Sequence, residues 1–273
     1  MRLHALIHTV LLHHKKEGRT HLPWRRNNDP YHVLVSELML QQTQVDRVIS
    51  KYRAFIKQFP TLQTLAQAPL PSVLVAWQGL GYNRRGKFLH DAVRMIVKKY
   101  DGKIPHDPVL IQKLPGVGPY TARAIAAFAF NRPEVFVETN IRTVFIHHYF
   151  SHQEKVSDKE LLPYIARSLS AAKQAGLSPR LWYGALMDYG AYLKKKGLRI
   201  NYKSVHYTKQ SKFKGSARQL RGVILRILLQ APTTLAVLSQ TTARSKKEIT
   251  HELLRLRGEG LVVSRGSFFS ISD

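Results

Sequence analysis

Two carboxylates and one glycine-rich turn are the residues of this chain best suited to chemistry. Glu37 sits in the run 31–40, which is nearly all apolar except for Ser36 and Glu37 itself. Removing a carboxylate from water penalises its charged form, so Glu37 is expected to hold a proton near neutrality. Glu138 follows Val135-Phe136-Val137 and precedes Thr139-Asn140, at the entrance of a helix predicted over 141–150. The dipole of that helix favours an ionised carboxylate. Between two apolar helical stretches lies Leu114-Pro115-Gly116-Val117-Gly118-Pro119-Tyr120-Thr121. Its glycines permit a tight turn, Pro119 suits a first helical position, and amides at the helix start can hold a phosphate. A proton donor, a negative charge and a phosphate grip together can break a glycosidic bond. The acid protonates the leaving group and the carboxylate steadies an oxocarbenium-like sugar. Each feature alone also fits an ordinary role: solvated or capping glutamates, and a plain helix–turn–helix corner.

The surrounding chain narrows the partner. Its 273 residues carry 43 Lys and Arg against 17 Asp and Glu, a formal net charge of +26. A charge of that sign points to a polyanion, nucleic acid ahead of a membrane surface, while 44% apolar residues provide for folded cores. With no cysteine, disulfides, thiol catalysis and iron–sulfur ligation are excluded. The 13 histidines show no zinc spacing. No apolar run approaches the ~20 residues that span a bilayer, and a cytoplasmic, nucleoid-associated location is expected.

Helical periodicity dominates. An amphipathic helix carries Leu3, Leu6, Ile7, Val10 and Leu11, and further helices are predicted over 31–40, 62–67, 71–77, 158–175 and 179–193. Gln42 follows the Glu37 helix, and the turn Gly79-Leu80-Gly81-Tyr82-Asn83-Arg84-Arg85 presents a ring beside two cations. Gln42 and Tyr82 are candidate wedges for the gap left by an extruded base, and Arg84 and Arg85 candidate phosphate grips. Residues 194–215 read as an irregular basic connector. Beyond it, helices over 218–229, 234–239 and 246–257 and a hairpin over 261–271 give the layout of a small winged helix–turn–helix domain.

In this order, Leu22-Pro23-Trp24-Arg25, Ser36-Glu37-Leu38-Met39-Leu40-Gln41-Gln42-Thr43-Gln44-Val45, Trp77-Gln78-Gly79-Leu80-Gly81-Tyr82, 114–121 and Ala185-Leu186-Met187-Asp188-Tyr189-Gly190-Ala191 resemble the helix–hairpin–helix DNA glycosylases, and among them the adenine-specific, MutY-type group. The resemblance covers about residues 1–193. It implies an all-α, two-lobed fold with DNA in the cleft: a six-helix lobe over 23–130, a discontinuous second lobe joining 1–22 to 131–193, then the connector 194–215 and the winged domain 216–273. It further implies a monomer that acts on double-stranded DNA carrying a mismatch or lesion, in base excision repair, and removes adenine opposite 8-oxoguanine or guanine. Removal of thymine or uracil opposite guanine, or a catalytically silent DNA-binding regulator, are the alternatives.

Residue by residue, Glu37 resembles the acid that protonates the adenine and Asn140 an asparagine that holds the reacting groups. Glu138 stands where the family has an aspartate that stabilises the sugar cation. Trp24, Arg25 and Asp188 resemble base-pocket residues; Gln42 and Tyr82 resemble the inserted residues; Gly116, Val117, Gly118, Tyr120 and Thr121 resemble the DNA-holding hairpin. Tyr120 replaces the Schiff-base lysine of bifunctional relatives, so little or no lyase activity is expected. The family's four cluster cysteines give way to the run from Lys194, Lys195 and Lys196, so the chain resembles a clusterless member with those lysines on DNA phosphates. A structural Na+ or K+ at the Leu114 and Val117 carbonyls is likewise implied. The winged domain stands where the family has a Nudix-like reader of 8-oxoguanine.

Overall fold

The computed structural model describes residues 2–209 and 212–273; Met1 and two connector residues, Gln210 and Ser211, lie outside the described residues. In chain order the helices are α1 (Arg2–Glu17), α2 (Pro30–Leu40), α3 (Val45–Gln58), α4 (Leu62–Gln67), α5 (Leu70–Trp77), α6 (Arg84–Lys99), α7 (Pro108–Ile111), α8 (Pro119–Phe130), α9 (Thr139–Tyr149), α10 (Asp158–Gln174), α11 (Pro179–Lys195), α12 (Ala217–Leu228), α13 (Leu235–Thr242) and α14 (Lys246–Gly258). The strands are β1 (Thr233–Thr234), β2 (Val262–Arg265) and β3 (Phe268–Ile271). The chain divides into two compact units. One holds the residues through Val33 with Pro105–Lys113 and Val117–Lys209; the other holds Leu34–Ile104, Leu114–Gly116 and Gln210–Asp273.

In the first unit, α9 and α11 form the centre. Ile141, Phe145, Trp182 and Leu186 are buried with Leu6 and Val10 of α1 and Ala124 and Ala127 of α8. Gly190 explains how closely the two helices approach, because a Cβ there would fall 2.1 Å from the Asn140 carbonyl oxygen. Ser157 and Glu160 start α10 with a reciprocal capping box, and Asn131 ends α8 in the left-handed region at φ 57°. The connector proves more regular than its composition predicts. Helix α11 carries Lys194 and Lys195, a 3₁₀ turn spans Asn201–Lys203, and Ser204 forms a parallel bridge with Val156.

In the second unit, α3 buries Val48, Tyr52 and Phe55, an apolar stripe at helical spacing. The C-terminal segment runs helix, strand, helix, helix, strand, strand, with sheet order β1-β3-β2. The predicted hairpin pairs Val262 with Ile271 and Arg265 with Phe268, as expected of a wing. The sequence reading missed β1, since two residues carry no visible period. Thr234, expected inside a helix, ends that strand and caps α13. The core of this segment extends onto α5, where Leu70 and Leu74 are buried with Leu220, Ile224, Leu228 and Leu253.

Candidate active site

Glu37 lies in the last turns of α2, half-buried between Ser36 and Leu38, both buried. The loop that follows is shaped by a residue from another helix. Arg85, in the first turn of α6, is 7% exposed and donates from Nη1 to the carbonyls of Leu38 (2.8 Å), Met39 (2.9 Å) and Gln41. From Nη2 it donates to Thr43 Oγ1 (2.9 Å) and to the carbonyls of Leu80 and Gly81 (3.3 and 3.0 Å). Burial lowers its pKa to about 10, partly offset by Tyr82. This guanidinium satisfies the orphan carbonyls at the end of α2 and ties them to the loop before α6. Arg85 is therefore not the phosphate grip expected of it, because both terminal nitrogens are occupied inside the protein and its Nε is buried. Arg84 is exposed and stacks 4.7 Å from the Phe88 ring.

The two carbonyls at the ends of this clamp, Gln41 and Gly81, immediately precede Gln42 and Tyr82. Both of those residues are left-handed, at φ 55° and 49°. Non-glycine residues rarely adopt that conformation, and where they do the surroundings must hold them there. Gln42 is exposed and Tyr82 half-buried.

In the same unit Gly116 sits at φ 76°, and a Cβ there would lie 2.6 Å from Phe88 Cβ, so only glycine fits. Its carbonyl accepts from Gln41 Nε2 at 3.4 Å. Gly118, by contrast, has an ordinary extended φ of −86° and caps α8 without a side-chain hydrogen bond. A Cβ at Gly118 would meet nothing within 4 Å. Neither turn geometry nor packing within the protein therefore requires glycine at 118. Leu114, Val117 and Thr121 are buried. No group of His, Cys, Asp or Glu side chains suited to a metal occurs among the described residues. Lacking cysteine, the chain does not fit a [4Fe–4S] cluster.

The first unit holds the other carboxylate. Glu138 is the N-cap of α9, a place where glutamate is uncommon. Its longer side chain folds back so that Oε2 accepts from the Asn140 and Ile141 amides (2.6 and 3.4 Å) and Oε1 from Asn140 Nδ2 (3.2 Å). Asn140 Oδ1 accepts from Lys194 Nζ at 2.8 Å. Lys194 thus meets Asn140 within the protein, and burial lowers its pKa against the pull of Glu138. Lys195 and Lys196 are exposed. Tyr120 is half-buried and meets the Phe136 ring edge-on at 5.7 Å.

Asp188 has a side chain 1% exposed. It accepts from Arg19 Nε (2.6 Å), the Arg19 amide (3.0 Å) and Arg25 Nη1 (2.7 Å), with His14 Nδ1 at 3.3 Å. Burial alone would raise its pKa, but the bonds from His14, Arg25 and Arg19 outweigh that and hold it far below the usual carboxylate range. Asp188 thereby fixes Arg25, whose Nη2 also donates to the Gly184 carbonyl at 3.3 Å, next to the buried Trp24.

Residues 35–166 match the model of the HhH-GPD superfamily base excision DNA repair proteins. This segment belongs to the HhH-GPD superfamily. The adenine DNA glycosylase of Buchnera aphidicola subsp. Baizongia pistaciae is 42% identical over 141 residues, spanning 52% of this chain and 40% of that protein. The Mycolicibacterium smegmatis adenine DNA glycosylase is 45% identical over 128 residues, 46% of this chain and 44% of its own. The match therefore spans less than half the length of these curated relatives. A solved thermostable thymine-DNA glycosylase shares the fold at a TM-score of 0.58 and 24% identity, over 70% of this chain and 86% of that one. The HhH-GPD segment contains Glu37, the Arg85 clamp, the hairpin, Glu138 and Asn140. Trp24, Arg25, Asp188 and Lys194 lie outside it. Arg19 and His14 were missed by the sequence reading, which also gave Lys194 no contact with Asn140; all three act through contacts with residues 54 to 174 positions away, which no local pattern reveals.

Proposed function

We propose that the protein is a monofunctional adenine DNA glycosylase, which swings a mispaired adenine out of duplex DNA and hydrolyses its N-glycosidic bond. The partner base in this reading is 8-oxoguanine or guanine. The observation that carries it is the Arg85 clamp. One buried guanidinium steadies the helix end bearing Glu37 and the two left-handed residues, Gln42 and Tyr82, as a site that must fill the gap behind an extruded base requires. The adenine-specific names of the relatives support the choice of base.

In this mechanism Glu37 gives its proton to a ring nitrogen of the adenine, the bond to C1′ breaks, and the base leaves neutral. Glu138, held by Asn140, which in turn accepts from Lys194, supplies the negative charge beside the sugar cation. Water then bonds C1′ and passes its proton to the Glu37 carboxylate, which restores the acid. Trp24 and Arg25 line the base pocket, Asp188 holding Arg25 in place. The start of α8 receives a phosphate over Gly118, and Lys195, Lys196 and Arg84 supply further cations. A phenol at Tyr120 forms no imine with the abasic sugar, so borohydride should trap no covalent complex with DNA. The protein acts as a monomer on duplex DNA at the nucleoid, and no helix among the described residues is long and apolar enough to cross a membrane.

The test is single-turnover base release from duplexes carrying adenine opposite 8-oxoguanine, guanine or cytosine, beside uracil or thymine opposite guanine. Release of adenine, fastest opposite 8-oxoguanine or guanine, is expected. Release of uracil or thymine alone, or of no base, would contradict the reading.

A further inference from the structure

The start of α9 is braced by the end of α11 and by the connector, all within the first unit. Lys194 Nζ donates to Asn140 Oδ1 at 2.8 Å, and Asn140 Nδ2 donates to Glu138 Oε1 at 3.2 Å. An ammonium can only donate and an ionised carboxylate can only accept. Between them the Asn140 amide has one orientation, with its NH2 towards Glu138. Lys194 is half-buried, and the pull of Glu138 supports its charge against that burial. Further along, Asn201 Nδ2 donates to the Thr139 carbonyl at 3.4 Å, and its Oδ1 lies 3.0 Å from the hydroxyl of the fully buried Thr143. The connector is also fastened beyond the other end of α9. Lys203 Nζ donates to the Ser151 carbonyl at 2.6 Å, and Val156 makes backbone bonds with Lys203 and Val205.

A charge that steadies a sugar cation must be aimed at it, and a shift of about 1 Å in a positioned site can cost about 100-fold in rate. Glutamate is a long, flexible carrier for such a charge, and holding it costs rotamer freedom. We propose that Lys194 and Asn201 are positioning residues for the Glu138 carboxylate, Lys194 through the Asn140 amide and Asn201 through the first turn of α9. Neither touches the reacting atoms. At these two positions the connector governs the rate of base release rather than the strength of DNA binding. This rests on the base-excision reading for the role of Glu138, whereas the link from Lys194 to Glu138 does not require it.

The experiment uses the full chain in single-turnover release of adenine from a duplex with adenine opposite guanine. The rate at saturating enzyme and the duplex affinity are measured separately. Lys194→Met, which keeps an unbranched stem and removes the donors, should lower the saturated rate by about 10- to 100-fold. It should leave the affinity and its salt dependence unchanged, as loss of a phosphate contact would not. Lys194→Arg, which keeps a donating cation, should recover most of the rate, and Asn201→Ala should lower it by a smaller factor. In protein with isotope-labelled asparagine, the Asn140 side-chain amide signal is identified by its loss in Asn140→Ser. That signal should move and exchange faster with water in Lys194→Met. An unchanged saturated rate in Lys194→Met, a weaker affinity with a flatter salt slope in its place, or an unmoved Asn140 signal would each overturn the proposal. So would a melting temperature that falls in step with the rate with no recovery in Lys194→Arg. No adenine release by the unmodified chain, with the Asn140 signal still responding to Lys194→Met, would remove the excision reading and leave the link standing.

Discussion

Asp188 has its carboxylate almost wholly buried and surrounded by Arg19, Arg25 and His14. A buried carboxylate so enclosed acts by fixing its partners. Replacing it strands two guanidiniums, and breaking a buried pair costs about 3 kcal/mol. Because the folded-state pKa is depressed, the stabilisation is complete above the unfolded value near 4 and is lost as pH falls through the folded value. Urea denaturation at pH 7 should show Asp188→Asn less stable by about 3 kcal/mol, the gap closing only below about pH 4. Equal stability at pH 7 would count against this account. The resemblance singled out Asp188 in the sequence, but gave no sign of its partners, because Arg19 is 169 residues away. Glu138 was conspicuous for its place at a helix entrance. Its folding back onto two amides follows from one extra methylene, which only the geometry reveals.

At the scale of elements, α2, the loop before α3 and the loop before α6 behave as one piece because Arg85 joins them. Lysine in its place keeps the charge but offers three donors on one atom instead of a planar fork. Carbonyls of Leu38, Met39, Gln41, Leu80 and Gly81 would then compete for them. Arg85→Lys should cost about 3 kcal/mol and lower the melting temperature by roughly 6 °C or more. Arg84→Lys, at an exposed position, should stay within about 0.5 kcal/mol. A melting curve for Arg85→Lys that overlays the parent would contradict the clamp. The helices themselves were legible, their apolar spacing and Ser-x-x-Glu starts agreeing with the observed bounds at α10 and α14. The roles of adjacent Arg84 and Arg85 were not. Two neighbouring arginines look alike in sequence and differ only in which side of α6 they face.

Over the whole molecule, the net charge of +26 would make the proposed DNA binding steeply salt-dependent. Lys195, Lys196, Arg199 and Lys209 are exposed connector cations that the proposed function puts on phosphates, whereas Lys194 and Lys203 are engaged within the protein. Changing those four to glutamine should reduce the slope of log affinity against log salt by up to about 0.9 per lost contact; an unchanged slope would take the connector out of the interface. Motif order made the HhH-GPD segment legible from sequence. The bond from Asn201 to Thr139 was not, since 62 residues separate them.

The central claim is that Glu37 protonates an adenine and that Glu138 steadies the sugar it leaves. The most direct measurement is single-turnover release of free adenine from a duplex with adenine opposite 8-oxoguanine, by the unmodified chain, Glu37→Gln and Glu138→Gln. The account predicts release by the unmodified chain with the strand left intact, and a loss of about 100-fold or more in each variant while duplex binding persists. Release by Glu37→Gln at the unmodified rate would contradict it.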